Sequence, residues 1–296
     1  MRETEAVVAA TRPSMPAPID APQSRSHSQS LKEQAQPRGS LREAWVHREL
    51  LFFLAWRDVK VRYKQTAFGI LWAIIQPLFT MVLFTVLFGR FAKVPSDGVP
   101  RPIFYFSALL PWLYLSNSVS TGSMSLVSNA NLLTKIYFPR IMLPAAVALS
   151  GLLDFLIGSV LLVGFVAYYH VGVGWSLLLW PALVAQMAVL ALAISLFLSA
   201  LNVKYRDVKY AIPFAVQLWM FITPVIYPVS MIPKPFRPWL AVNPAAGLIE
   251  AFRHALIPSA PIHWDLLAVS AATTIAVFLG ALAFFKRTER AFADII

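Results

Sequence analysis

Residues 57–88 read RDVKVRYKQTAFGILWAIIQPLFTMVLFTVLF, and the change of character halfway along decides the fold class. The first part carries Arg57, Lys60, Arg62 and Lys64. From Phe68 no charged residue follows until Arg90. A helix needs about 20 predominantly apolar residues to cross a hydrocarbon core, and this run supplies them. Similar runs predict spans at 68–88, 103–126, 141–169, 175–201, 208–227 and 264–285. The second is more polar in its latter half, with Ser116, Asn117, Ser118, Ser120 and Thr121. The expected fold is an all-α integral membrane protein with six transmembrane helices.

Composition agrees with that reading. Of 296 residues, 58% are hydrophobic and 13% charged, whereas soluble domains carry roughly 45–50% and about 25%. The mean hydropathy of +0.65 lies on the same side. An ordinary water-soluble enzyme is excluded, and 13% aromatic content excludes a disordered scaffold. The chain has no cysteine, so a disulfide framework, a thiolate metal site and a cysteine nucleophile are excluded as well. In a membrane protein the net charge of +11 is a question of topology, with no nucleic-acid partner implied.

The segments outside the spans carry the organisation. Residues 1–40, rich in Ser, Pro, Gln and Ala, read as a disordered cytosolic tail. Residues 41–66 read as an amphipathic helix in the cytosolic interface. Trp56, Val59 and Tyr63 lie on one side, and Arg57, Lys60 and Lys64 on another. Between the fifth and sixth spans, Pro228–His263 is apolar but broken by Pro233, Pro235, Pro238, Pro244, Pro258 and Pro261. Short helices that dip into the membrane and return fit such a stretch. Lys and Arg cluster around Arg57–Lys64, Lys135–Arg140, Lys204–Lys209 and Lys286–Arg290, and are sparser around Arg90–Arg101 and Lys234–Arg253. The richer set marks the cytosolic side, which places both termini there.

No catalytic signature is present: no HExxH, no GxSxG and no group of carboxylates within a span. No GxxxxGK[ST] loop occurs either, so ATP-driven work would need a nucleotide site on another chain. His47, His170, His254 and His263 fall near predicted membrane boundaries and read as solvated interface residues. Asp154 stands alone near the middle of the third span. A carboxylate there is costly; a structural role, hydrogen-bonded to a neighbouring helix or protonated, is preferred to proton coupling. Arg57-Asp58-Val59-Lys60 recurs as Arg206-Asp207-Val208-Lys209, each read as an Asp near a helix start. Residues 128–140, SNANLLTKIYFPR, set Leu132, Leu133, Ile136 and Tyr137 beside Lys135 and Arg140, with Pro139 closing the loop. Such a face suits a protein partner or lipid headgroups equally.

WRDVKVRYKQTAFGILWAIIQPL, NLLTKIYFPRIMLP, LNVKYRDVKY and TPVIYP, with Asn243-Pro244 beyond, resemble the transmembrane subunit of bacterial polysaccharide ABC exporters. These are type-2 ABC permeases that export O-antigen, teichoic acid and capsule chains. The resemblance covers about residues 45–290, in order, and leaves out residues 1–40. It implies a channel-forming, non-catalytic permease in the bacterial inner membrane, a homodimer joined by two cytosolic ABC ATPases that bind ATP and Mg. The cargo it implies is a polyprenyl-diphosphate-linked polysaccharide, O-antigen first, as in lipopolysaccharide biosynthesis.

By position, the interface helix would use Trp56, Arg57, Asp58, Arg62 and Tyr63. A coupling helix docked in the ATPase would use Asn129, Leu132, Lys135, Tyr137, Pro139 and Arg140. Channel-lining residues on spans one and five would be Trp72, Gln76, Phe79, Phe214, Gln217, Phe221 and Tyr227. Re-entrant periplasmic gate helices at 231–256 would carry Met231, Pro233, Trp239, Asn243 and Pro244. No metal or cofactor bound by this chain is implied. The alternatives are a type-2 ABC drug or small-lipid exporter, a secondary transporter, or a membrane glycosyltransferase. The last would need paired acidic groups or a metal cluster at a membrane face, which the sequence is read as lacking.

Overall fold

A computed structural model describes residues 46–64, 68–135, 138–172, 174–205, 207–256 and 262–289. The expected tail at 1–40, with Tyr137 and Arg206, lies outside the described residues. Among the described residues every regular element is helical. They are α1 (Arg48–Lys64), α2 (Trp72–Phe84), α3 (Arg101–Ser128), α4 (Ala130–Lys135), α5 (Met142–Tyr168), α6 (Trp180–Lys204), α7 (Val208–Ile222), α8 (Arg237–Val242), α9 (Pro244–Ala255) and α10 (Trp264–Glu289). A 3₁₀ turn, Gly69–Leu71, leads into α2, and a π-helical stretch, Thr85–Phe91, extends it.

Four stretches are long and apolar enough to cross a membrane: Gly69–Phe91, Met142–Tyr168, Trp175–Lys204 and Trp264–Glu289. The other two expected spans differ, each for a physical reason. Helix α3 has 28 residues, about 42 Å at 1.5 Å per residue, but its hydroxyls lower its hydropathy. Several of those hydroxyls are satisfied locally. Ser107, Ser116, Ser123 and Ser125 each donate to the carbonyl three residues back. Helix α3 is also the centre of the core, buried at Ile103–Leu110 and packed by α5 and α6.

Helix α7 is shorter than expected. It spans 15 residues, about 22 Å, and the expected helix to Tyr227 does not form. Pro224 forces the residue before it out of the helical region, and Thr223 adopts φ −96°, ψ 141°. The chain continues as buried, non-helical backbone through Thr223–Ile226. Such backbone is tolerated at depth only when its polar groups are met. Arg253 meets two of them, donating to the Pro224 carbonyl at 2.9 Å and to that of Val225 at 3.3 Å.

Helices α3 and α6 approach closely because small residues line their seam. Gly122 lies against Ser195, so a Cβ at 122 would collide with the Ser195 hydroxyl. Ser195 in turn donates to the Ser118 carbonyl at 3.0 Å, and Asn202 to that of Ser123 at 3.2 Å.

Beyond α7, short helices α8 and α9 fill the proline-rich stretch. Asn243 caps α9: its Oδ1 accepts from the Ala245 amide at 3.1 Å, and Pro244 occupies the first helical position, where its missing N–H costs nothing. The same Oδ1 accepts from Trp219 Nε1 at 2.9 Å, and Asn243 Nδ2 donates to Thr223 Oγ1 at 2.9 Å. One side chain thus ties α9 to α7. On the far side of α9, a Cβ at Gly247 would strike the Leu266 carbonyl of α10.

Candidate functional site

Helix α1 places its side chains differently from the sequence expectation. Leu51, Leu54, Ala55, Asp58 and Arg62 lie one or two turns apart and face the protein body, while Trp56 is exposed. Val59 and Tyr63, expected on one side with Trp56, are half-buried. The inward stripe is apolar in the first half of α1 and charged in the second, because a carboxylate awaits it.

That carboxylate is Asp154 of α5, which pairs with Arg62 and accepts a hydrogen bond from the Tyr63 hydroxyl. The cluster stays partly open to solvent, at 36% exposure for the Arg62 side chain and 29% for Asp154. Burial, followed by the bond to Asp154, pushes the Tyr63 phenol up to about 12, so it remains a donor. The cluster borders a cavity of about 420 Å³ whose walls include Trp72, Gln76, Tyr114 and Asn117. Polar side chains at membrane depth belong beside such a cavity.

Further along α1, Arg57 pairs with Asp58 at 2.8 Å and reaches Asn129 Oδ1 at 3.2 Å. Asp58 thus lies deep within α1, not near its start as the repeated RDVK motif suggested. Asp207 does lie at the start of α7, yet its side chain makes no capping bond.

Of the residues expected to dock an ATPase, Asn129 is held by Arg57 and by the Ser125 carbonyl at 2.8 Å. Leu132 packs, half-buried, against the core, and Pro139 is buried. Lys135 ends α4. Arg140 turns inward and donates to the Glu289 carbonyl at the end of α10, at 2.9 Å.

The channel candidates fall on open surfaces. Trp72, Gln76 and Phe79 on α2 are exposed, as are Phe214, Gln217 and Phe221 on α7, where Ile212 is buried. Tyr227 donates to the Phe221 carbonyl at 3.1 Å. Of the gate candidates, Met231, Pro233 and Trp239 are exposed, while Asn243 and Pro244 build the α9 cap.

A second charged group was missed by sequence reasoning. Glu250, Arg253 and His254 share one face of α9, with Arg253 Nη1 at 2.9 Å from Glu250 Oε2 and His254 Nε2 at 3.0 Å from Glu250 Oε1. The Arg253 and Glu250 side chains are only 2% and 4% exposed. Burial alone would raise the Glu250 carboxyl, but the His254 hydrogen bond and the Arg253 charge outweigh it and hold the group low. Arg253 also stacks over the Phe104 ring at 4.0 Å. His254 is thus a mostly buried partner of Glu250, correcting its reading as a solvated residue. The i, i+3, i+4 spacing of Glu250, Arg253 and His254 was the available signal.

Comparison with known proteins bears on what this arrangement serves. The O-antigen export system permease protein RfbA of Myxococcus xanthus is 31% identical over 86% of this chain and 98% of its own length. Its namesake in Klebsiella pneumoniae is 27% identical over 84% and 95%. The polysialic acid transport protein KpsM of Escherichia coli is 24% identical over 79% and 92%. Residues 49–257 match the ABC-2 type transporter family. With its helical body and apolar spans, the chain is an integral membrane permease that belongs to the ABC-2 type transporter family.

Proposed function

We propose that this chain is the channel-forming permease subunit of an ATP-driven exporter, and that its cargo is a polysaccharide on a polyprenyl diphosphate carrier, O-antigen above all. The observation that carries the reading is the near full-length likeness to an O-antigen export permease. Two copies would sit in the bacterial inner membrane with both termini cytosolic, each crossing six times, with α3 and α7 completing the count. The exposed faces of α2 and α7 would meet across the dimer axis and border the path. Their composition suits a glycan: Trp72, Phe79, Phe214 and Phe221 offer ring faces to sugar C–H groups, and Gln76 and Gln217 offer hydrogen bonds.

The permease performs no covalent step. ATP and Mg would bind a separate ABC ATPase, whose movement reaches the permease through α4 and the interface helix α1. Asn129 joins those two elements through Arg57, which supports their moving as a unit. Helices α8 and α9 would form the periplasmic gate. Arg140, turned toward Glu289, would brace the loop instead of touching the ATPase, which leaves Lys135 and Tyr137 as the docking contacts.

The test is purification from native cells in mild detergent, with mass spectrometry of what accompanies the chain. An ATPase with a phosphate-binding loop, together with a polyprenyl-linked glycan, is the expected result. An ATPase without glycan would overturn the cargo, and absence of any ATPase would overturn the mechanism. In the same complex, Lys135→Ala with Tyr137→Ala should leave ATP hydrolysis intact and abolish export.

A further inference from the structure

Glu250, His254 and His263 each offer a ligand atom, and these atoms lie within 4.8 Å of one another. We propose that they form a divalent transition-metal site with the donor set of two imidazoles and one carboxylate. The site does not depend on the export reading, because it follows from side-chain placement alone.

Glu250 and His254 stand four residues apart on α9, one turn above each other on the same face. That spacing lets one helix present two ligands to one ion. His263 comes from the two described residues just before α10, with its ring centroid 5.5 Å from that of His254. A tetrahedral ion with bonds of about 2.0–2.2 Å wants its ligand atoms roughly 3.4 Å apart. His263 must therefore close by no more than about 1.5 Å. It is exposed at the start of α10, where its carbonyl accepts from the Leu267 amide at 3.0 Å, so the closure falls to rotation of its side chain.

The surrounding groups leave the right atoms available. Glu250 Oε2 is taken by Arg253, while Oε1 faces His254 Nε2. A metal would replace the proton shared between those two atoms, and His254 would carry its remaining proton on Nδ1. Among the described residues Nδ1 has no hydrogen-bond partner, so nothing fixes the opposite tautomer. The Arg253 charge beside the site is already met by Glu250, by two carbonyls and by the attraction of Asp97.

Two nitrogens and one oxygen suit zinc, nickel or copper and do not suit magnesium, which prefers oxygen alone. Three protein ligands leave a fourth position for water. A bound ion would staple α9 to the start of α10.

The test is isothermal titration of the full-length chain in detergent with zinc chloride, using an affinity tag without histidine, at neutral pH. One zinc per chain at micromolar concentration is expected, with no response to magnesium chloride. Loss of a single supporting group around a metal typically costs about 10–100-fold, so His263→Ala should weaken zinc binding at least about tenfold. His263 is exposed, so this variant keeps its fold, and His170→Ala is the control that should bind as the parent does. Zinc should also raise the thermal midpoint of the parent chain and not that of His263→Ala. Absence of zinc binding, or parent-like binding in both His263→Ala and His254→Ala, would overturn the site.

Discussion

Asp154 and Glu250 are both carboxylates inside an apolar helical body, yet they solve the same problem in opposite ways. Glu250 finds its partners on its own helix, three and four residues away, and all but disappears from solvent. Asp154 finds Arg62 and Tyr63 on an element more than 90 residues distant in sequence, and stays partly hydrated beside a cavity. The first arrangement forms with one helix and is costly to disturb. The second exists only while α1 rests against α5, so it can be made and broken as those helices move. Charge beside the start of α3 is thus a fixture, and charge beside its middle a clasp.

Variants can break or sharpen that contrast, beginning with the fixture. Arg253→Ala should strand a buried carboxylate and free two carbonyls, destabilising the chain by about 3–5 kcal/mol. Thermal unfolding in detergent would show it. Replacing both partners, Glu250→Gln with Arg253→Met, should recover part of the loss. A loss for Arg253→Ala no greater than that for Asp154→Ala would erase the distinction.

Next in size is Gly247→Val, which drives a side chain into the Leu266 carbonyl. Overpacking of this kind costs about 1–3 kcal/mol, and the backbone neighbour puts this site near the top of that range. The same unfolding assay would detect it, and an unchanged midpoint would mean that α9 sits less tightly on α10 than described.

Breaking the clasp should cost less. Exposed ion pairs contribute about 0.2–1 kcal/mol and broken buried pairs about 3–5. A partly exposed pair falls between, so Asp154→Ala should cost about 2 kcal/mol. A double-mutant cycle with Arg62→Ala should show strong coupling between the two. Tyr63→Phe removes one hydrogen bond and should cost about 1 kcal/mol.

The smallest effect is one of pH. Glu250 has a lowered folded pKa, so its contribution is present above the ordinary carboxyl value of 4.5 and is lost as pH falls through the folded one. Unfolding midpoints measured from neutral to acidic pH should decline less steeply in Glu250→Gln. The raised Tyr63 group has the opposite sign. Its contribution is full below pH 10 and fades toward 12, so the Tyr63 hydroxyl should donate unchanged across physiological pH.

Much of this was legible in the sequence, and the misses have common causes. Hydropathy found the four long apolar helices because nothing but lipid or protein interior accepts such runs. It also found α3, despite the serines. The end of α7 was misplaced because composition continues apolar through Thr223–Tyr227, and only Pro224 marks the break. That Arg62 and Tyr63 of α1 would turn to Asp154 was not legible, because helical periodicity ranks side chains by polarity and does not name a distant partner. The same pairing supplies the partner that a lone carboxylate in α5 demanded, and no local pattern could name it. The α9 cluster escaped because His254 was read by its place near a membrane boundary, not as a helix neighbour of Glu250.

The Pro224 and Val225 carbonyls carry a consequence for synthesis. A ribosome delivers them nearly thirty residues before it delivers the guanidinium that receives them. During that interval the turn after α7 is a bare pair of acceptors searching for a donor, and the insertion machinery or water must serve. The corner therefore closes late, once Arg253 has emerged. A nascent chain stalled before Arg253 has emerged would leave the turn open, while one stalled well beyond that point would hold it shut.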